Sequence, residues 1–174
     1  DIAEQVSSEI RNLWTILQRN NPCHLIQIGY DLPPDGAWGS LEDLLPEGRG
    51  RIIQLINMKL SENIPSGVSY IDINRIAYKM GSKCRSNSVW YQAKQYPATA
   101  SLPILADYIC AHIRAAFGLS ATVLVLDLDN TLWGGVIGED GIDGIVLGPP
   151  SADGEGYLDF QLYMKELKDR GILL

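Results

Sequence analysis

Two acids separated by a single residue, Asp127 and Asp129, close the apolar run Ala121, Val123, Leu124, Val125 and Leu126, with Asn130 and Thr131 directly behind them. A run apolar on both faces predicts a buried central strand of a parallel sheet. Open α/β sheets bind ligands at the carboxyl ends of such strands. Like charges gathered there are costly unless a cation neutralises them, and a hard divalent metal suits carboxylate oxygens. One carboxylate can then attack a phosphoryl group to give an aspartyl phosphate. The other can protonate the leaving oxygen and later activate water. A calcium loop also begins D-x-D-N, but it needs Gly at its sixth position and Glu at its twelfth, where this chain has Leu132 and Gly138.

The elements around this pair follow from periodicity. Residues 1–20 carry Ile2, Val6, Ile10, Leu13, Trp14 and Leu17 as a helical stripe. Residues 24–28 and 68–73 predict strands, 51–63 an amphipathic helix and 75–80 a short one. The Pro- and Gly-rich stretch 30–50 predicts a long surface loop, and 86–100 an irregular segment. An apolar helix over 102–117 ends at Gly118, in the place of a C′ cap. Beyond the acids, residues 131–135 predict a tight turn and 136–147 a small hairpin turning on Glu139-Asp140-Gly141. Residues 155–170 predict a helix with Tyr157, Phe160, Met164 and Leu167 on one face, stopped by Gly171. Helices alternating with strands predict an α/β fold with a mostly parallel sheet.

Composition narrows the class. The chain has 174 residues, 46% hydrophobic and 20% charged, which is ordinary for a globular protein. No apolar stretch approaches the ~18–20 residues that span a bilayer, and the first residues lack the basic and apolar regions of a signal peptide. Cys23, Cys84 and Cys110 form no metal or disulfide pattern, so a reducing cytoplasm is the expected compartment. A net charge of −7 argues against nucleic acid. His24 and His112 sit among apolar neighbours, and with no G-x-S-x-G motif a serine hydrolase is disfavoured.

Charge is unevenly spread. Between Asp72 and Asp107 there is no acidic residue, while Arg75, Lys79, Lys83, Arg85 and Lys94 fall there. This island predicts either a solvated face or a docking patch for an anionic substrate or acidic partner. Trp90 and Tyr91 near Lys94 predict either the lining of a site or, in preference, packing between the two halves of the chain.

The D-x-D-x-T pattern at Asp127, Asp129 and Thr131 resembles motif I of the haloacid dehalogenase (HAD) superfamily. The strings LDLDNTLWGGVIGEDG and GEGYLDFQLYMKELKDRGILL are similar to its FkbH-like branch, subfamily IIIC. The upstream VWYQAKQYPATASLPILADYI resembles the SGNH-like (flavodoxin-like) three-layer α/β domain that precedes the HAD core in that branch. The resemblance implies two parts: residues 1–120 as a non-catalytic SGNH-like domain, and 121–174 as the start of a HAD-like Rossmannoid domain. It implies an Mg2+-dependent enzyme of polyketide biosynthesis that loads a glyceryl unit from 1,3-bisphosphoglycerate onto an acyl carrier protein and removes its phosphate. A HAD-type phosphatase of small molecules and a non-catalytic carrier-protein module are the alternatives.

Carried over by position, Asp127 matches the nucleophile and a metal ligand. Asp129 matches the general acid/base and a second ligand through its carbonyl. The amides of Leu128 and Asp129 would hold phosphoryl oxygens, next to Thr131. Residues 133–148 match the squiggle and flap. The family's later Ser/Thr, Lys and further acidic ligand have no counterpart before Leu174, so the chain is expected to be cut within an α/β domain and inactive alone. Only residues 136–150 separate the carboxylate turn from the next helix. That is too little for a capping domain, which predicts an active site open to a substrate carried on another protein.

Overall fold

The computed structural model describes residues 1–32 and 36–174. Part of the predicted loop, Pro33, Pro34 and Asp35, lies outside the described residues. The architecture is mixed α/β, and the chain divides into two compact units, Asp1–Leu119 and Ser120–Leu174.

The first unit is built on a βαβ motif. Helix α1 (Ile2–Asn20) starts where the Asp1 carboxylate accepts the Ala3 N–H at 3.0 Å, a side-chain cap for an otherwise unpaired amide. Strand β1 (Leu25–Ile28) runs parallel to β2 (Val68–Ile71), Leu25 opposite Val68 and Ile28 opposite Ile71. Helix α2 (Arg49–Ser61) makes the crossover that parallel pairing demands. Ala3 and Trp14 of α1, Ile56 and Leu60 of α2, and Val68 form one apolar core. Trp14 is held in it by its indole N–H, which donates to Gln27 Oε1 at 3.0 Å. A second core joins Ile73 and Ile76 of α3 (Ile73–Met80) to Cys84, with Ile104, Leu105 and Tyr108 of α5 (Leu102–Ala116) against it.

One stretch departs from the expected irregularity. Residues 87–93 form helix α4 (Asn87–Ala93), started by Ser86 Oγ, which accepts the Val89 N–H at 3.4 Å, and ended by Lys94 in the left-handed region at φ 51°. The Ser N-cap was the legible signal; Trp and Tyr, indifferent helix formers, hid it. Trp90 and Tyr91 are exposed, and the Lys94 ammonium lies 5.5 and 5.4 Å from their ring centres.

In the second unit the predicted buried strand is extended but not buried. It makes a single parallel bridge, Val123 to Leu173, through Leu124 N–H to Leu173 O at 2.8 Å and Leu173 N–H to Thr122 O at 2.9 Å. Val125 is 89% exposed. Two apolar faces call for cover on both, and residues 120–174 supply it on one: Leu124 and Leu126 are half-buried, and Leu126 shares a groove with Trp133 and with Gln161 and Met164 of helix α7 (Ala152–Asp169). Helix α7 keeps the expected face: Met164 is buried and Tyr157, Phe160 and Leu167 are half-buried. It stops at Gly171, φ 95°, as expected.

The predicted hairpin is corrected as well. Gly134 and Val146 exchange backbone hydrogen bonds of 2.9 and 2.8 Å, closing its base. Its tip is instead α6 (Ile137–Gly144), two helical turns broken at Gly141 with φ 68° and ψ 178°. Glu139 and Asp140, read as turn residues, occupy the first helical turn, where acids face unpaired amides favourably. Asp140 Oδ2 accepts the Val136 N–H at 2.8 Å and so fastens the start of α6.

Candidate active site

The run that carries the acids ends in a turn closed by one carbonyl. Leu128 O accepts from Thr131 N–H at 3.2 Å and from Leu132 N–H at 2.8 Å. Asn130, at φ 53°, takes the left-handed conformation that lets the chain reverse. Its Oδ1 accepts the Gly135 N–H at 2.9 Å, tying the turn to the base of the flap.

The two acids are held differently. Asp127 is exposed, and its Oδ1 accepts the Leu128 N–H at 2.8 Å. That amide, expected to hold a phosphoryl oxygen, is therefore turned toward the carboxylate beside it. Asp129 is half-buried, and its Oδ1 accepts from the Trp133 indole N–H at 3.0 Å and from the Ile137 N–H at 3.3 Å. Two donors on one oxygen fix its rotamer and join it to the first turn of α6. Sequence reasoning missed Trp133, Asn130 and Asp140 as the groups that position the turn and flap. Trp133 could have been found from its spacing four residues beyond Asp129, a reach that a turn makes short.

Among the described residues no group of three or more His, Cys, Asp and Glu side chains gathers around a metal-sized space. The donors at hand are the Asp127 and Asp129 carboxylates and nearby backbone carbonyls. Beside Asn130 and Thr131 opens a concavity of about 650 Å³, walled by Gly134, Gly135, Tyr157 and Phe160. It borders the turn without including either acid.

The first unit qualifies the other sequence candidates. Arg85 is not a free cation of the basic island: it pairs with Asp31 at 2.7 Å, an acid from the end of β1 far away in sequence. Burial pushes the Asp31 carboxyl above its usual range, against hydrogen bonding from Tyr96 and the pull of Arg85. Burial also raises the Tyr96 phenol, whose hydroxyl lies 3.2 Å from Cys84 Sγ. Lys79, Lys83 and Lys94 are exposed. His24 Nε2 lies 2.8 Å from Ser69 Oγ, but Ser69 sits within extended β2 rather than on a sharp turn, so the pair lacks the exposed nucleophile geometry of a hydrolase. Cys23, Cys84 and Cys110 are all free thiols. Among the described residues no helix is long and apolar enough to cross a membrane.

No family model matches the chain, and no curated protein matches it. Among solved structures it is similar to the crystal structure of the N-terminal part of the protein BF1531 from Bacteroides fragilis, containing a phosphatase domain complexed with Mg. The likeness has a TM-score of 0.81 at 27% sequence identity and covers 99% of this chain and 46% of that one. The chain thus spans less than half the length of the structure it matches.

Proposed function

We propose that this chain carries the nucleophile half of a Mg2+-dependent phosphoryl-transfer site of the phosphatase type. The observation that carries the reading is Asp129, drawn into the flap by Trp133 and Ile137 two residues beyond an exposed Asp127. Likeness along 99% of the chain to a protein with a Mg-complexed phosphatase domain supports it. Two carboxylates and carbonyls suit Mg2+, which is commonly bound through one or two carboxylates together with waters and substrate phosphate. The ion, when bound, would offset the charge of the phosphoryl oxygens.

The chain's own residues do the rest. An Asp127 oxygen attacks phosphorus in line with the leaving group, forming an acyl phosphate. Asp129, its rotamer set by two donors, gives the leaving oxygen a proton and afterwards takes one from the attacking water. The Leu128 amide, released from Asp127 once that carboxylate is esterified, becomes a donor for a phosphoryl oxygen.

The finer reading makes the substrate a phosphorylated three-carbon acid, 1,3-bisphosphoglycerate, whose glyceryl group passes to an acyl carrier protein in polyketide biosynthesis. In that reading the first unit is an SGNH-like docking module, and exposed Lys79, Lys83 and Lys94 meet the acidic carrier. Arg85 is left out of that surface because Asp31 already neutralises it. In the native protein that carries this chain, Lys79→Glu, Lys83→Glu and Lys94→Glu together should weaken carrier-protein binding at least tenfold. Unchanged affinity removes the docking role. Intact-mass detection of a glyceryl thioester on the carrier tests the transfer, and phosphate release from free esters without thioester favours a small-molecule phosphatase.

A further inference from the structure

The large concavity beside the acids has its own chemistry. Its volume of about 650 Å³ falls within the ~300–1,000 Å³ range of small-molecule sites. Tyr157 and Phe160, one turn apart on α7, supply aromatic walls, and Asp153 supplies a carboxylate. Among the described residues its lining contains no Lys, Arg or His. Such a site repels anions. Aromatic rings with one carboxylate are the recognition set for an organic ammonium group, which ring faces attract and a carboxylate neutralises.

Gly156 shows that the space is open by composition. A Cβ built there meets nothing within 4 Å, whereas one at Gly134 would come within 3.0 Å of the Tyr157 ring. Gly156 lines the concavity, so a larger side chain there would enter open space. Asn130 links this space to the acid-bearing turn, because it lines the concavity and its Oδ1 holds Gly135.

We infer that this concavity binds an organic ammonium group. Resting on the phosphoryl reading above, and in place of the three-carbon acid of its finer form, a second step follows: the site favours phosphate esters whose leaving part carries an amine. The two steps separate experimentally. In the native protein, calorimetric titration with choline should show binding at least fivefold tighter than with its uncharged isostere 3,3-dimethyl-1-butanol. Asp153→Asn should abolish that preference. Gly156→Leu, which favours the helix and so preserves the fold, should weaken choline at least tenfold while leaving Mg2+-dependent binding of inorganic phosphate unchanged. Equal binding of choline and the alcohol, or choline binding indifferent to Gly156→Leu, overturns the inference. Choline binding without any binding of phosphate in Mg2+ upholds the ammonium site and overturns the phosphoryl reading instead.

Discussion

The two units meet the same requirement, a parallel strand that must be positioned, by different means. In the first, β1 and β2 pair over four residues and lie between helices whose apolar faces interlock around Leu60 and Ile76, both 0% exposed. In the second, the Val123–Leu126 run that leads to the acids has one bridge and an open face. Its turn and flap are held by Asp129, Asn130 and Asp140 accepting from backbone and indole N–H groups. Burial of apolar surface is non-directional and cumulative, whereas a side-chain acceptor on a chosen amide is directional and local. The second arrangement fixes a few atoms near the acids without a large core. Placement of the reactive groups and stability of the fold are thus separable properties of this chain.

The contrast breaks most readily at the core. Ile76→Ala should cost about 2–5 kcal/mol in urea unfolding of the first unit. Val125→Ala, at an exposed position, should change stability by less than about 0.5 kcal/mol. Comparable losses at the two sites would show that the open strand face is covered in solution.

The close fit at the end of β1 gives a smaller effect. A Cβ on Gly29 would clash with the Tyr70 hydroxyl and stand 3.1 Å from Asn57 Oδ1. Asn57 brackets Tyr30 by accepting its N–H and donating to its carbonyl, each at 2.7 Å, so it has little freedom to move aside. Gly29→Ala should destabilise by about 1–3 kcal/mol, the usual cost of overpacking. Tyr70→Phe removes a buried hydroxyl that has no partner among the described residues. Alone it should be neutral or stabilising by up to about 1 kcal/mol, and it should restore part of the Gly29→Ala loss. Strict additivity in a double-mutant cycle would deny the contact.

Much of this was legible in the sequence, and what was not had physical causes. The stripes of α1, α2, α5 and α7 and the stops at Gly118 and Gly171 depend on local periodicity and caps, which neighbouring residues determine. The cover of the Val123–Val125 run does not: two apolar faces state a demand without naming a supplier. Helix α6 was hidden because Glu139-Asp140-Gly141 suits a turn as well as a first helical turn, and Asp140's bond to Val136 decided between them. The basic island was overcounted because charge counted along the chain missed Asp31, which reaches Arg85 only in the fold. The acids themselves were plain, but the donors that orient Asp129 required coordinates.

In the second unit the effect should be local. Asp140→Ala removes the acceptor at Val136, worth about 1 kcal/mol for a helix-start cap. That is a roughly fivefold rise in flap opening, visible as faster hydrogen exchange at Val136 and Ile137, with exchange in α1 and α2 unchanged. Faster exchange throughout the chain would mean that the flap is part of one cooperative structure.

The smallest effect is on pH dependence. The Asp31 carboxyl is raised in the fold, so the native state holds that proton more tightly than the unfolded chain. Its ionised form opposes folding at neutral pH, and stability is gained as pH falls through the raised value. Glu4 and Glu42 run the other way: Lys59 and Arg49 lower them, and their contribution fades as pH falls below the usual carboxylate range. Asp31→Asn should therefore flatten the stability rise just above that range and leave the fall below it. An unaltered profile would remove Asp31 from this role.

The claim at the centre of the account is tested most directly by trapping the phosphorylated acid. Native protein given acetyl phosphate and Mg2+ should acquire one hydroxylamine-labile phosphoryl group on Asp127, located by mass spectrometry of peptides. Asp127→Asn should abolish the label, and Asp129→Asn should prolong it by withholding the base that activates water. Labelling that persists in Asp127→Asn, or that never forms in wild-type protein with Mg2+ present, contradicts the account.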